Sequence, residues 1–159
     1  MDELFSDRAP QQSSSPPNLG AREAEVRVPA DQEQAFEGFT ELIHLWWPLA
    51  EYSAFGAESH LGFEGQSLVE EALDGRQYLW ATVRDWQPAA ALRLEFYLGD
   101  DPATPTRLSV SFEAAEKGTL VRLIHDGWAT GARGAAQYQK YSEWPLILGR
   151  YARFMGGVG

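Results

Sequence analysis

Apolar and polar residues alternate through most of the chain between residues 59 and 126, and this alternation constrains the fold more than any other feature. In "ALRLEFYL" and "TRLSVSFEA" the apolar residues lie at every second position, which places them on one face of a β-strand. Short turn signals such as Asp74-Gly75 separate the runs. Strands joined by short turns predict an antiparallel meander rather than βαβ units.

Helical patterns flank these strands. A first strand, "AREAEVRVP", is followed by Asp31, which is a good helix N-cap, and by Gln34 three residues later, which completes a capping-box-like pair. Phe36 and Phe39 then share one helical face. A second short helix, "ELIHLWW", is predicted to stop before Pro48, since the residue before a proline disfavours the helical region.

A long helix is predicted at the end of the chain, from about residue 133 to residue 154. Its aromatic residues recur at spacings of three or four and form a stripe on one face. Pro145 removes one helical hydrogen bond, so a kink or break is expected there. The element order is therefore strand, two short helices, six strands and a long helix, which is an α+β fold with a sheet of about seven strands.

Length and composition indicate one domain, predicted at residues 21–156, preceded by a tail. Residues 1–20 are rich in Ser, Pro, Gln and Asp and poor in apolar side chains, so we predict that they are disordered. Leu4 and Phe5 interrupt this polar segment and could form a docking patch.

Charge and composition exclude several classes of function. The formal net charge is −10, with 23 acidic residues against 13 basic ones, which disfavours binding to nucleic acid or to an anionic membrane. The chain has no cysteine, so disulfides, thiolate metal sites and cysteine nucleophiles are absent, as suits a reducing cytoplasm. No signal peptide or membrane-spanning segment is recognisable, and a cytoplasmic location is predicted.

The sequence resembles the START-like helix-grip superfamily, also called SRPBCC. Within it, the chain resembles the branch named after the C-terminal domain of the activator of Hsp90 ATPase. The match is carried by the order of "RVPADQEQAFEGFT", "LWWP", "WATVRDWQPAAALRLEF", "DPATPTRLSVSFEAAEKGTLVRLIHDGW" and "WPLILGRYARF". The chain departs from many relatives at "EGQSLVEE", where Gln66 replaces an arginine and Ser67 an aromatic residue.

The resemblance implies a curved antiparallel sheet that grips a C-terminal helix, with a cavity between them for an apolar or aromatic small molecule. Ten residues are predicted to line this cavity: Trp46, Trp47, Phe96, Val110, Leu123, His125, Trp128, Tyr138, Tyr141 and Trp144. Of the adjacent tryptophans, Trp46 is expected under the helix pair and Trp47 near the mouth, although spacing alone leaves this open. A core filled by these rings, with no cavity, is the alternative.

His125 is the candidate with the most chemistry. If Val121 and Leu123 face inward, a period of two places His125 inward as well, where it could act as acid, base or hydrogen-bond donor to a ligand. The simpler interpretation is a core histidine that holds the "HDGW" turn. No catalytic residue is assigned: Glu70 and Glu71 are neighbours on a strand and face opposite ways, and no nucleophile motif is present. The histidine spacing predicts no metal site, and no cofactor motif is found.

Three functions remain open at this point. The first is a small-molecule-binding protein with no established catalysis. The second is a cyclase-like or hydrolase-like enzyme that uses His125. The third, implied by the resemblance, is an Hsp90 partner with a role in the stress response. The sequence is compatible with a monomer or a homodimer.

Overall fold

We describe the protein from a computed structural model, which covers residues 19–97 and 103–157. The predicted disordered tail therefore lies almost entirely outside the described residues, as does Leu98 of the β-strand pattern. Both remain predictions.

The described residues form one antiparallel sheet of seven strands. The strands are β1 (Arg22–Val28), β2 (His60–Glu64), β3 (Ser67–Glu71), β4 (Gln77–Gln87), β5 (Ala91–Phe96), β6 (Thr106–Ala115) and β7 (Gly118–Asp126). From β2 to β7 each strand pairs with the next in sequence, and β1 pairs with β7, which gives the spatial order β1-β7-β6-β5-β4-β3-β2. The predicted meander of about seven strands is confirmed.

Two irregularities bend β4. The pairing with β3 shifts at Trp80 and the pairing with β5 shifts at Arg84, so each of these residues is left without a partner in the register. Such bulges increase the local bend and twist of a strand. The curved sheet presents a concave face, and its residues include the buried Leu61, Leu92 and Val121.

Three helical segments pack against or beside this face. They are α1 (Gln32–Thr40), α2 (Gly131–Lys140) and α3 (Trp144–Phe154), and a single 3-10 turn at Ile43–Leu45 follows α1. The Asp31 carboxylate accepts a hydrogen bond from the Gln34 amide at 2.8 Å, as the N-cap prediction requires. The second short helix is only this 3-10 turn.

The C-terminal helical segment runs from Gly131 to Phe154 but is interrupted between Lys140 and Trp144. Pro145 stands in the first turn of α3, where its missing N–H costs nothing because that position has no helical acceptor. The predicted break is confirmed, and it lies just before the proline. Among the described residues, no helix combines the length and apolar character needed to cross a membrane.

Candidate functional site

His125 lies at the end of β7 with none of its surface exposed. β7 buries Val121, Leu123 and His125 on one face, as the alternation predicts. Gly127, with φ of +78°, then turns the chain away from the sheet, a conformation that favours glycine. The His125 imidazole therefore lies on the concave side of the sheet, close to the start of the C-terminal helices.

Both ring nitrogens of His125 have partners. The indole Nε1–H of Trp144 donates to Nδ1 at 3.0 Å, and Nε2 lies 2.7 Å from the Thr106 hydroxyl. Because Trp144 can only donate, Nδ1 carries no proton and Nε2–H donates to Thr106. The Thr106 hydroxyl then donates to the carbonyl of Phe96 at 3.1 Å. This series of hydrogen bonds fixes one tautomer of the imidazole.

The environment also keeps His125 uncharged. Burial lowers the pKa of His125 from 6.5 to about 3, since an imidazolium loses its hydration inside the core. The ring is therefore a neutral hydrogen-bonding group at physiological pH.

Aromatic rings surround the imidazole. Its centroid lies 4.5 Å from that of Trp128, 4.8 Å from Tyr141 and 5.6 Å from both Phe96 and Trp144. We call these five residues the His125 cluster. Tilted and edge-to-face contacts predominate, which are favourable geometries for aromatic pairs. Tyr138 extends the cluster outward, with its ring 5.4 Å from Trp128.

The two adjacent tryptophans take different places. Trp46 packs against Phe39 of α1 and Tyr151 of α3, both at 5.2 Å, and donates its Nε1–H to the Gly38 carbonyl. Trp47 instead packs against Trp80 at 5.1 Å and Trp144 at 6.0 Å. Trp46 thus lies beneath the helices, whereas Trp47 reaches the His125 cluster through Trp144.

The other two candidates, Val110 on β6 and Leu123 on β7, are register partners on the concave face, and each is at least 99% buried. The structure therefore places nine of the ten candidates in or directly beside one packed interior, with Tyr138 at its edge. In this conformation the rings occupy the space between sheet and helices in mutual contact.

α2 covers the outer side of the His125 cluster and is held mainly by polar contacts. Within α2 only Gly134 and Gln137 are buried. The Gln137 side chain accepts from the Ala129 amide at 2.8 Å and donates to the Thr104 carbonyl at 3.1 Å. The Arg22 guanidinium lies 3.6 Å from the centre of the Tyr138 ring and donates to the Tyr138 carbonyl.

Sequence reasoning missed Thr106 and Gln137. The signal for Thr106 is its position two residues before Leu108, on the inward face of β6. Gln137 lies four residues before Tyr141, which is the spacing of the aromatic stripe. Neither is aromatic or catalytic by type, so the pattern gave no reason to select them.

A second buried polar centre is Glu70 on β3, which is 0% exposed. Its carboxylate accepts four hydrogen bonds, from the amides of Ala54 and Phe55, the Ser59 hydroxyl and the Trp80 indole. Burial alone would raise the pKa of Glu70, but these four donors outweigh it and hold the pKa below 4.5. The hydrogen bonds to this carboxylate hold the loop before β2 against the sheet.

His44 and His60 are distant in sequence but adjacent in the fold, with ring centroids 4.9 Å apart. Within the described residues, no cluster of three or more His, Asp or Glu side chains could hold a metal ion.

No protein-family model and no curated protein sequence matches the chain. Solved structures do match it. Protein MLL2253 from Mesorhizobium loti is 16% identical with a TM-score of 0.62, and the match covers 86% of this chain and 96% of that one. The Aha1 dimer from Colwellia psychrerythraea is 15% identical with a TM-score of 0.56, over the same shares of both chains.

A further match is the anthrahydroquino-gamma-pyrone synthase Txn09, which is 25% identical with a TM-score of 0.58 over 85% of this chain and 96% of that one. A putative protein of the dynemicin biosynthetic locus, DynU16, is 17% identical with a TM-score of 0.58. That match covers 87% of this chain but 48% of DynU16. These similarities and the seven-stranded sheet with its C-terminal helices show that the chain has the helix-grip fold.

Proposed function

We propose that this protein binds a planar aromatic small molecule between the sheet and the C-terminal helices, at the His125 cluster. One observation carries the proposal: a neutral, fully buried imidazole is surrounded by four aromatic rings and covered by a helix that buries only two residues. Binding sites for small molecules are mostly apolar and contain a few oriented polar groups. The cluster has that composition.

Entry of a ligand requires α2 to move, because the rings are in mutual contact in this structure. The contacts that oppose this movement include the two hydrogen bonds of Gln137, the stacking of Arg22 on the Tyr138 ring and the hydrogen bonding of Arg22 to the Tyr138 carbonyl. Such contacts can be replaced by water when a helix shifts, whereas α3 is held by a buried apolar face. Weakly packed elements are the ones that open most readily.

The polar groups of the cluster define what the ligand should carry. When a ring enters beside His125, the Trp144 indole N–H and the imidazole can exchange their mutual hydrogen bond for one to a ligand carbonyl or hydroxyl. The rings of Trp128 and Tyr141 offer faces and edges for stacking. A hydroxylated polycyclic aromatic compound meets both requirements.

The test uses native mass spectrometry first, to detect a molecule that copurifies with the protein. Protein freed of ligand is then titrated with a hydroxyanthraquinone, a flavone and stearate while tryptophan fluorescence is recorded. We expect saturable quenching by the two aromatic compounds, which is lost in Trp144→Ala and Tyr141→Ala.

Trp86→Phe is the matched control, since Trp86 packs against Phe36 and Phe63, away from the cluster. It should leave the titration unchanged. Circular dichroism of each variant checks that the fold is retained. Folded protein that shows no bound mass and no saturable quenching across these compounds would contradict the proposal.

A cyclase-like or hydrolase-like enzyme is the second candidate, because the neighbour with 25% identity is described as a synthase. His125 is the group that would transfer a proton. It would first have to give up its bond to Trp144 or to Thr106, because both nitrogens are engaged. Incubation with a poly-β-keto thioester, followed by mass detection of a dehydrated cyclic or hydrolysed product, distinguishes this candidate. His125→Asn should abolish turnover if His125 is catalytic.

The Hsp90 partner hypothesis is supported by the fold shared with Aha1 at 15% identity, and fold similarity alone does not establish a function. Pulldown with purified Hsp90 and measurement of its ATPase rate test it directly. A stimulated rate together with a negative ligand titration would favour this function over small-molecule binding.

A further inference from the structure

A groove of about 360 Å³ lies on the outer side of α3, away from the His125 cluster. It is lined by Leu45 of the 3-10 turn, by Trp46 directly after that turn, and by Arg150, Arg153 and Phe154 from α3. Leu146 lies one helical turn before Arg150, on the same face of α3. We call Leu45, Leu146, Arg150, Arg153 and Phe154, together with Trp46, the α3 groove.

The α3 groove exposes an unusual amount of apolar surface. Leu45 is 57% exposed, Leu146 56% and Phe154 38%. They make up half of the six large apolar side chains that are most exposed among the described residues. Single exposed leucines are normal on protein surfaces, whereas a group of them on one face indicates a binding surface.

The groove is also basic, in a chain whose net charge is −10. The Arg150 Nε–H donates to the Trp46 carbonyl at 3.1 Å, which holds this side chain along the groove. Arg153, three residues further along α3, is exposed. Within residues 19–97 and 103–157, neither of these guanidinium groups forms an ion pair, whereas Arg84 and Arg122 do.

The sequence contains a segment with the complementary chemistry. Residues 2–7, "DELFSD", combine two large apolar side chains, Leu4 and Phe5, with three carboxylates and no basic group. The rest of residues 1–18 has no second pair of large apolar residues. An acidic segment with an apolar centre fits a basic groove with apolar walls.

The chain is long enough for this contact within one molecule. The described chain begins beside α2, where the Gly20 carbonyl accepts from Trp128 and Arg22 contacts Tyr138. Thirteen residues, 6–18, separate Phe5 from Leu19, and they can span at most about 45 Å. By comparison, the whole of α3, with eleven residues, is only about 16 Å long. The connecting segment is therefore long enough to reach along this helix.

We propose that the α3 groove binds residues 2–7 of the same molecule, with Leu4 and Phe5 between Leu45, Leu146 and Phe154, and the carboxylates at Arg150 and Arg153. Because residues 2–7 are covalently attached to the domain, even a weak interaction is enough to occupy the groove. A short flexible connection gives an effective concentration of roughly 1 mM, so an intrinsic Kd of about 1 mM already occupies the groove in about half of the molecules. This contact does not depend on the proposed ligand.

The test uses the absence of cysteine in the chain, which allows a single nitroxide label on a Gln11→Cys variant of the full protein. Paramagnetic broadening is then measured on the amide signals of Leu45, Leu146 and Phe154. We expect strong broadening that is lost when Leu4→Ser and Phe5→Ser are added. Arg153→Glu should also reduce it, and adding Glu3→Arg should restore it. Higher salt should weaken it, because exposed charges are screened.

A sample that mixes isotope-labelled protein without nitroxide and nitroxide-labelled protein without isotope provides the control for contacts between molecules. It should show no broadening at the groove. Broadening in that mixture would assign the groove to a second copy and overturn the proposal. Absent broadening, or broadening that persists after Leu4→Ser and Phe5→Ser, would overturn it as well.

Discussion

Replacing Glu70 with glutamine tests whether a buried carboxylate secures the loop that precedes β2. Each carboxylate oxygen accepts two hydrogen bonds: Oε1 from the Ala54 amide and the Trp80 indole, and Oε2 from the Phe55 amide and the Ser59 hydroxyl. Glutamine keeps the shape of the side chain but replaces one oxygen with an NH₂ group. Two of the four donors then face another donor.

The loss of stability depends on which hydrogen bond the glutamine can no longer accept. The Ser59 hydroxyl can rotate and accept, so the least unfavourable orientation places the NH₂ group toward Ser59 and leaves the Phe55 amide without its acceptor. An unsatisfied buried donor costs about 1–3 kcal/mol, and bonds to a neutral acceptor are weaker than bonds to a charged one. Because the loop donors are partly exposed, water recovers some of this loss. We expect Glu70→Gln to lower the free energy of unfolding by about 2 kcal/mol at pH 7.

Urea unfolding measures the change as a shift of the midpoint at constant slope. Glu71→Gln is the matched control, since Glu71 is exposed on the same strand and should change stability by less than about 0.5 kcal/mol. The pKa of Glu70 is lowered in the folded protein, so the advantage of wild type should be present above pH 4.5 and fade as the pH falls through that lowered pKa. Equal effects of the two substitutions at pH 7 would refute the reasoning.

The same urea assay checks three further changes. Asp31→Ala removes the N-cap acceptor of α1 and should cost about 1 kcal/mol, and an unchanged midpoint would contradict the cap. Helix propensity alone predicts that Gly134→Ala stabilises α2 by about 1 kcal/mol, but its Cβ would overlap the Ala129 carbonyl, so we expect a loss. Burial lowers the pKa of His125 from 6.5 to about 3. The free energy of unfolding is therefore not reduced by His125 above pH 6.5, and it falls by up to about 1.4 kcal/mol per pH unit between pH 6.5 and 3, where only the unfolded state binds a proton. His125→Asn should flatten this part of the pH profile, and parallel profiles would show that His125 is not the titrating group.

Much of the fold follows from local patterns. The alternation of apolar residues determined which face of β5, β6 and β7 is buried, including the inward position of His125, whereas the bulged β4 buries the adjacent Trp80 and Ala81. Turn residues such as Asp74-Gly75 determined that successive strands pair antiparallel. The Asp31 cap and the proline at 145 set helix boundaries, because the backbone hydrogen bonds at those positions are decided by residues close in sequence.

Only the tertiary structure decided what lies opposite each buried side chain. Thr106 and Trp144 each lie 19 residues from His125 in sequence, and they become its partners because β6 pairs with β7 and α3 crosses the sheet. A repeat of two or of three to four residues specifies a face but not its neighbour across the core. The sequence therefore determined that aromatic residues and one histidine point inward. Packing between distant elements decided that the rings touch, that the imidazole is neutral and that α2 covers it with polar contacts.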